Sequence, residues 1–144
     1  MAETQRRGRD VRKAGDRMSS VAVRQRDALM TLLEDSLGDL VQIITIDEQK
    51  ARPLPGRVAV FVEPPDLEYP RWGNEPEITW RLDLIAGTTA TQAPSLDLIM
   101  RAIDLLAERD VNIQAARPVT ISLDGAGNIA AYQLTLNPLE LTEG

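Results

Sequence analysis

Two stretches towards the end of the chain alternate apolar and polar residues on either side of a glycine-rich break. In the first, Val119, Ile121 and Leu123 point one way and Thr120 and Ser122 the other. In the second, Ala130, Tyr132, Leu134 and Leu136 alternate with Ala131, Gln133 and Thr135. Period-two alternation marks a half-buried strand. Asp124-Gly125-Ala126-Gly127-Asn128 between them tolerates positive φ, so Arg117–Pro138 is predicted to be a β-hairpin with one buried face and one polar, uncharged face. The same alternation over Glu77–Ile85 turns Ile78, Trp80, Leu82 and Leu84 inwards and Thr79, Arg81 and Asp83 outwards. Leu40–Ile46 and Arg57–Val62 are nearly continuous β-branched runs, read as strands buried on both faces or lying at an interface.

Spacings of three and four predict two amphipathic helices. Ala22, Leu29, Leu32, Leu33 and Leu37 form the stripe of the first, capped by Ser19 or Ser20 and stopped by Gly38. Leu96, Ile99, Met100, Ile103 and Leu106 form the stripe of the second, with Ser95 as its cap after Pro94 and an end near Arg109. The connector Asp47–Gly56 reads as an exposed loop or a short hairpin extension. Glu63–Glu77, with four prolines, is a long polar loop of the kind that tends to be functional or unordered. The expected order is a basic arm followed by α-β-β-β-α-β-β. This is an α+β fold with a single mostly antiparallel β-sheet flanked by the two helices. Residues 1–18 form a flexible basic arm and residues 19–144 a single domain.

Composition narrows the chemistry. Only five residues are aromatic, so the core must be aliphatic. The absence of cysteine excludes disulfides, thiolate metal sites and cysteine nucleophiles, and the absence of histidine removes the commonest general base. No apolar run approaches about 18 residues and no signal-peptide core is present, which predicts a soluble intracellular protein. No P-loop, dinucleotide fingerprint or nucleophile elbow occurs. The carboxylate pairs Asp47/Glu48, Asp66/Glu68 and Glu75/Glu77 lie at strand ends or in a loop, where solvated acids are expected. Neither an enzymatic activity nor a cofactor or metal is expected.

Charge is unevenly placed. Arg6, Arg7, Arg9, Arg12, Lys13 and Arg17 against three acids give residues 1–18 a net charge of +3, on a chain whose total is −6, so residues 19–144 carry −9. Such an arm suits nucleic acid or an acidic partner surface, and a solvated terminus is the plain alternative. In the proline-rich loop, Tyr69, Arg71 and Trp72 are residue types enriched in interface cores, while Trp72 could equally fold back as a lid. With helices on one sheet face, Val41, Ile43 and Phe61 would be left as an apolar patch on the other, calling for a partner or another copy. These six residues are the candidate interface.

The stretch "ITWRLDLIAGTTATQAPSLDLIMRAIDLL", Ile78–Leu106, leads from a strand through a small-residue connector into a helix. "VNIQAARPVTISLDGAGNIAAYQLTL", Val111–Leu136, carries an Ala-Arg-Pro step and a strand–turn–strand ending. Together with the leading helix and early strand pair, they resemble the tail terminator (tail-completion) proteins of long-tailed, siphovirus-type bacteriophages. The resemblance spans residues 19–138 as a pattern and leaves the basic arm unmatched. It implies a structural virion protein forming a hexameric ring at the head-proximal end of the tail tube, which ends tube polymerisation and docks the neck. The implied partners are further copies of the chain, the tail tube protein, a neck or head-completion protein, and genomic DNA passing through the lumen without specific binding, with no membrane involved. The implied location is the virion, reached from the host cytoplasm during assembly. A head-closure or other neck connector protein, or a small nucleic-acid-associated protein using the arm, are the alternatives.

Overall fold

The computed structural model describes residues 20–70, 73, 75–88 and 91–138. Helix α1 spans Val21–Leu37. Ser20 caps it, its hydroxyl accepting from the Val23 N–H at 3.1 Å. Gly38 closes it at φ +52, a conformation a side chain resists. Strands β1 (Val41–Thr45) and β2 (Val58–Val62) follow, then β3 (Asp66–Glu68), β4 (Glu77–Thr79) and β5 (Arg81–Ala86). Helix α2 (Gln92–Glu108) leads to the long strands β6 (Ile113–Leu123) and β7 (Gly127–Leu136). Helix α2 starts three residues before Ser95. Pro94 sits in its first turn, where the missing N–H costs no helical hydrogen bond.

Five strands form one mixed sheet in the order β1-β2-β5-β7-β6, while β3 and β4 make a separate two-stranded ribbon. All neighbours in the sheet are antiparallel except β1 and β2, which run parallel. The connector between those two is therefore a crossover rather than a hairpin extension. Strand β3 of the ribbon lies inside the segment Glu63–Glu77 expected to be a long polar loop. The strand expected over Glu77–Ile85 is divided at Trp80 between ribbon and sheet.

Both helices pack on one face. Leu29, Leu33 and Leu37 of α1 and Ile99, Ala102 and Leu106 of α2 meet Val58, Val60 and Val62 of β2, Leu82 and Leu84 of β5, and Leu134 and Leu136 of β7. Met100, expected on the buried stripe, is exposed, and Ala102 sits inside in its place. Trp80 is buried at the edge of this core, its indole N–H donating to Gln25 Oε1 at 2.9 Å. At the far end of β5, Gly87 brings the chain so close to α2 that a Cβ there would lie 1.8 Å from Ser95 Oγ.

The other face has its own, smaller core of Ala51, Ala59, Phe61, Ile85, Ile121, Leu123, Ile129 and Ala131. The chain closes this face itself. The β1–β2 crossover lies on it, with Ala51 fully buried and a single turn of 3₁₀-helix at Glu48–Lys50. The tip of the β6–β7 hairpin reaches the crossover, where the Arg52 guanidinium donates to Asp124 O at 2.5 Å and the Asp124 N–H donates to Gln49 Oε1 at 3.0 Å. The hairpin accordingly buries different faces along its length. Tyr132, Leu134 and Leu136 turn towards the helices, while Ile121, Leu123, Ile129 and Ala131 near the tip turn the other way. The single buried face expected from alternation holds for each half separately.

Candidate functional site

The expected apolar patch is not open. Phe61 is 8% exposed beneath the second core, and Ile43 is half-buried beside it. Val41 is also half-buried but turns to the helix side, because a register shift between Val41 and Ile43 breaks the alternation of β1. Tyr69 is exposed at 63%. Arg71 and Trp72 lie outside the described residues, as do Arg6, Arg7, Arg9, Arg12, Lys13 and Arg17 of the arm. Of the six interface candidates, the structure therefore leaves Tyr69 as the one fully presented on the surface among the described residues.

Polar chemistry gathers instead at the end of the sheet where β1 and β2 finish. Strand register aligns Thr45, Phe61, Asp83, Gln133 and Arg117 in one row across the second face. Asp83, expected outside, is 3% exposed in the middle of that row. Glu63, just past β2, donates its backbone N–H to Arg81 O at 3.0 Å, and its carboxylate accepts from Gln133 Nε2 at 2.6 Å. Burial pushes the Asp83 carboxyl up from 3.8 to about 8. A hydrogen bond to the Glu63 side chain and that group's charge push the same way, a hydrogen bond from Gln133 opposes them, and the charge of Glu48 adds to the rise. Burial and the neighbouring Glu63 thus favour the protonated Asp83 carboxyl, whose Oδ1 has no hydrogen-bond partner. The Arg81 guanidinium bridges to Asp66 on the ribbon.

On the ribbon, Asp66 pairs with Thr79, Leu67 with Ile78 and Glu68 with Glu77. Ile78 is buried in the main core, so Asp66, Glu68 and Glu77 share the opposite face. Glu68 and Glu77 stand directly opposite each other, an arrangement of like charges that destabilises a strand pair. Where the first turns of α1 meet the end of β2, a groove of about 270 Å³ is lined by Val23, Arg26, Ile46, Glu63, Pro64 and Trp80. Ile46 and Leu67 are exposed at 54% and 45%.

The carboxylate pairs read from the sequence are placed by these elements. Asp47 accepts from the Gln49 N–H at 3.1 Å to cap the 3₁₀ turn, Asp66 is bridged to Arg81, and Glu77 faces Glu68. Among the described residues no group of three or more acids is disposed to hold a metal ion, and no helix is long and apolar enough to cross a membrane. The buried trio of Glu63, Asp83 and Gln133 escapes sequence reading, because only the strand register and the closure of the second face bring it together. A lone Asp between Leu82 and Leu84 is the one local sign of it. No protein-family model matches the chain, and no curated protein matches it in sequence.

Proposed function

We propose that the chain is a structural virion protein that assembles as a ring on the head-proximal end of a long phage tail tube, ends tube growth and offers the neck a docking surface. The resemblance carried by Ile78–Leu106 and Val111–Leu136 is the observation on which this rests. In its support, those residues build the run β5–α2–β6–β7, which supplies three adjacent strands of the five-stranded sheet and half of its helical layer. The end of the fold bearing Ile46, Leu67 and Tyr69 adds a solvent-facing surface of mixed apolar and acidic character, suited to contact with a neighbouring subunit. The acidic balance of residues 19–144 suits a conduit through which DNA passes without sticking. The role is structural, with no bond made or broken.

Polymerising the cognate tail tube protein with and without this chain tests the proposal. Electron microscopy should find tubes that stop growing and carry a ring at one end, and native mass spectrometry of the chain should find a six-fold species. Tubes that elongate equally with and without the chain, and carry no ring, would overturn it.

A further inference from the structure

The cover over the second face is lightly held. Of the crossover residues 46–57, Ala51 alone is buried. The bonds that tie the crossover to the hairpin tip, from the Arg52 guanidinium to Asp124 O and from the Asp124 N–H to Gln49 Oε1, are exposed to water. One small apolar side chain and a few exposed hydrogen bonds make a segment that can open while the rest of the protein stays folded. Beneath it lies an acid pair. Asp83 is 3% exposed, its carboxyl hydrogen-bonds the Glu63 side chain, and the Glu63 carboxylate accepts from Gln133 Nε2 at 2.6 Å. Two ionised carboxylates are acceptors only and repel at this range, so the pair needs a proton to make its bond. Asp83 Oδ1, buried without a partner, gives a second negative charge no donor on that side.

The charges that act on Asp83 are both negative, those of Glu63 and of Glu48 on the crossover itself. The other charged groups around the pair are engaged elsewhere or turned to water. Asp47 accepts from the Gln49 N–H, Arg52 donates to Gln49 O and Asp124 O, and Arg81 on β5 bridges to Asp66. Lys50 on the crossover and Arg117 at the β6 end of the row are exposed. We propose that Asp83 and Glu63 hold a single proton between them, and that this proton is the clasp keeping the crossover closed over Ala59, Phe61 and Ile85. Loss of the proton sets Asp83, Glu63 and Glu48 against one another, and lifting the crossover lets water solvate all three. The apolar face beneath is thereby covered or uncovered by pH. With the crossover closed the acid keeps its proton up to about pH 8, whereas in the open state it titrates near its ordinary 3.8. Opening between those values releases one proton, so the open population rises about tenfold for each unit of pH and levels off above about pH 8.

Amide hydrogen exchange of the full chain, followed by NMR between about pH 6 and 9, tests this. Exchange chemistry alone speeds about tenfold per unit of pH. The Ala51 amide, which the crossover holds on Glu48 O at 3.1 Å, should therefore speed about a hundredfold per unit up to about pH 8 and about tenfold per unit beyond it. In Asp83→Asn, which keeps a donor for Glu63 and has no proton to release, it should follow about tenfold throughout. Glu63→Gln should move the break to lower pH, because the amide donates to the Asp83 carboxylate and brings no charge. The Leu33 and Leu134 amides, in the helix-side core, should exchange far more slowly than Ala51 in all three proteins. The same tenfold dependence for Ala51 in the parent and in Asp83→Asn would overturn the clasp. Exchange of Ala51 and Leu134 through an opening of the same free energy would make the event global unfolding and overturn the local cover. Infrared spectra at about pH 7 read the proton itself. A protonated-carboxyl band is expected in the parent and absent from Asp83→Asn, and a parent without it overturns the shared proton.

Discussion

Replacing Asp83 by asparagine removes a proton equilibrium and almost no volume, so its effect on stability should run with pH. In the folded chain the carboxyl is pushed up from 3.8 to about 8, chiefly by burial and then by Glu63. In the unfolded chain it titrates at its ordinary value. Below about pH 4 it is protonated in both states, and its contribution to stability is fully present. Between about pH 4 and 8 the unfolded chain has released the proton and the folded chain keeps it, so stability falls by up to about 1.4 kcal/mol for each unit of pH. Above about pH 8 both states are ionised and the loss is complete. Taken at face value the full span amounts to about 5–6 kcal/mol. Local relaxation and water entry reduce what a buried charge costs, leaving on the order of 3 kcal/mol between pH 5 and 8. The substituted amide still has an N–H to donate to Glu63 and no charge to bury. Urea unfolding followed by far-ultraviolet circular dichroism at pH 5, 6, 7 and 8 should show the gap between Asp83→Asn and the parent widening by that amount in the variant's favour. Parallel stability curves for the two proteins over this range would refute the burial argument.

Three further outcomes follow from packing. Gly87→Ala places a Cβ 1.8 Å from Ser95 Oγ and 2.6 Å from Ser95 Cβ at φ +76. It should cost about 2 kcal/mol or more, whereas Gly125→Ala, at φ +78 with open space around it, should cost about 1 kcal/mol; thermal unfolding of the pair checks the difference. Ala51→Asp puts a charge into the second core, where Ala51 is fully buried. It should destabilise by on the order of 3 kcal/mol and speed hydrogen exchange at the Asp124 amide, which the crossover holds. Ser20→Ala removes the hydroxyl that accepts from Val23; unfolding midpoints should show a loss of about 1 kcal/mol, with exchange faster in the first turn of α1.

Local physics made the elements readable in advance. Ser20 and Gly38 bound α1 where a cap and a positive-φ residue were expected, and Ile78, Trp80, Leu82 and Leu84 are all buried on the helix side as their alternation required. What stayed hidden depends on distant pairing. The β-branched run of Val58–Val62 is buried along its whole length, but nothing in it says that β1 runs parallel beside it. Asp83 reads as outward in "RLDLIA" because alternation tells faces apart without telling which faces are closed. Closure comes from Arg52 and Asp124, 72 residues apart, and no window of sequence spans that distance. The apolar patch expected at Val41, Ile43 and Phe61 misses for the same reason: the covering atoms are the chain's own.

That self-closure decides where a partner can act. A five-stranded sheet with helices on one side has a second apolar face that must be covered, and a separate subunit could have done it. Here the crossover and hairpin tip cover it from within, so the fold does not require an obligate partner there. The two edge strands, β1 and β6, are the remaining backbone templates. Pro118 within β6 removes one N–H from that edge, and Arg117 adds a charge beside it, features that discourage pairing with another strand. The contact between copies that the proposed ring requires is thereby steered away from the sheet face and the β6 edge. It falls to the end where Ile46, Leu67 and Tyr69 remain exposed and Glu68 and Glu77 repel each other. A surface built of those groups gains from opposite charge more than from apolar area. The ring contact proposed for it should therefore weaken as ionic strength rises, which sedimentation across a salt series would check.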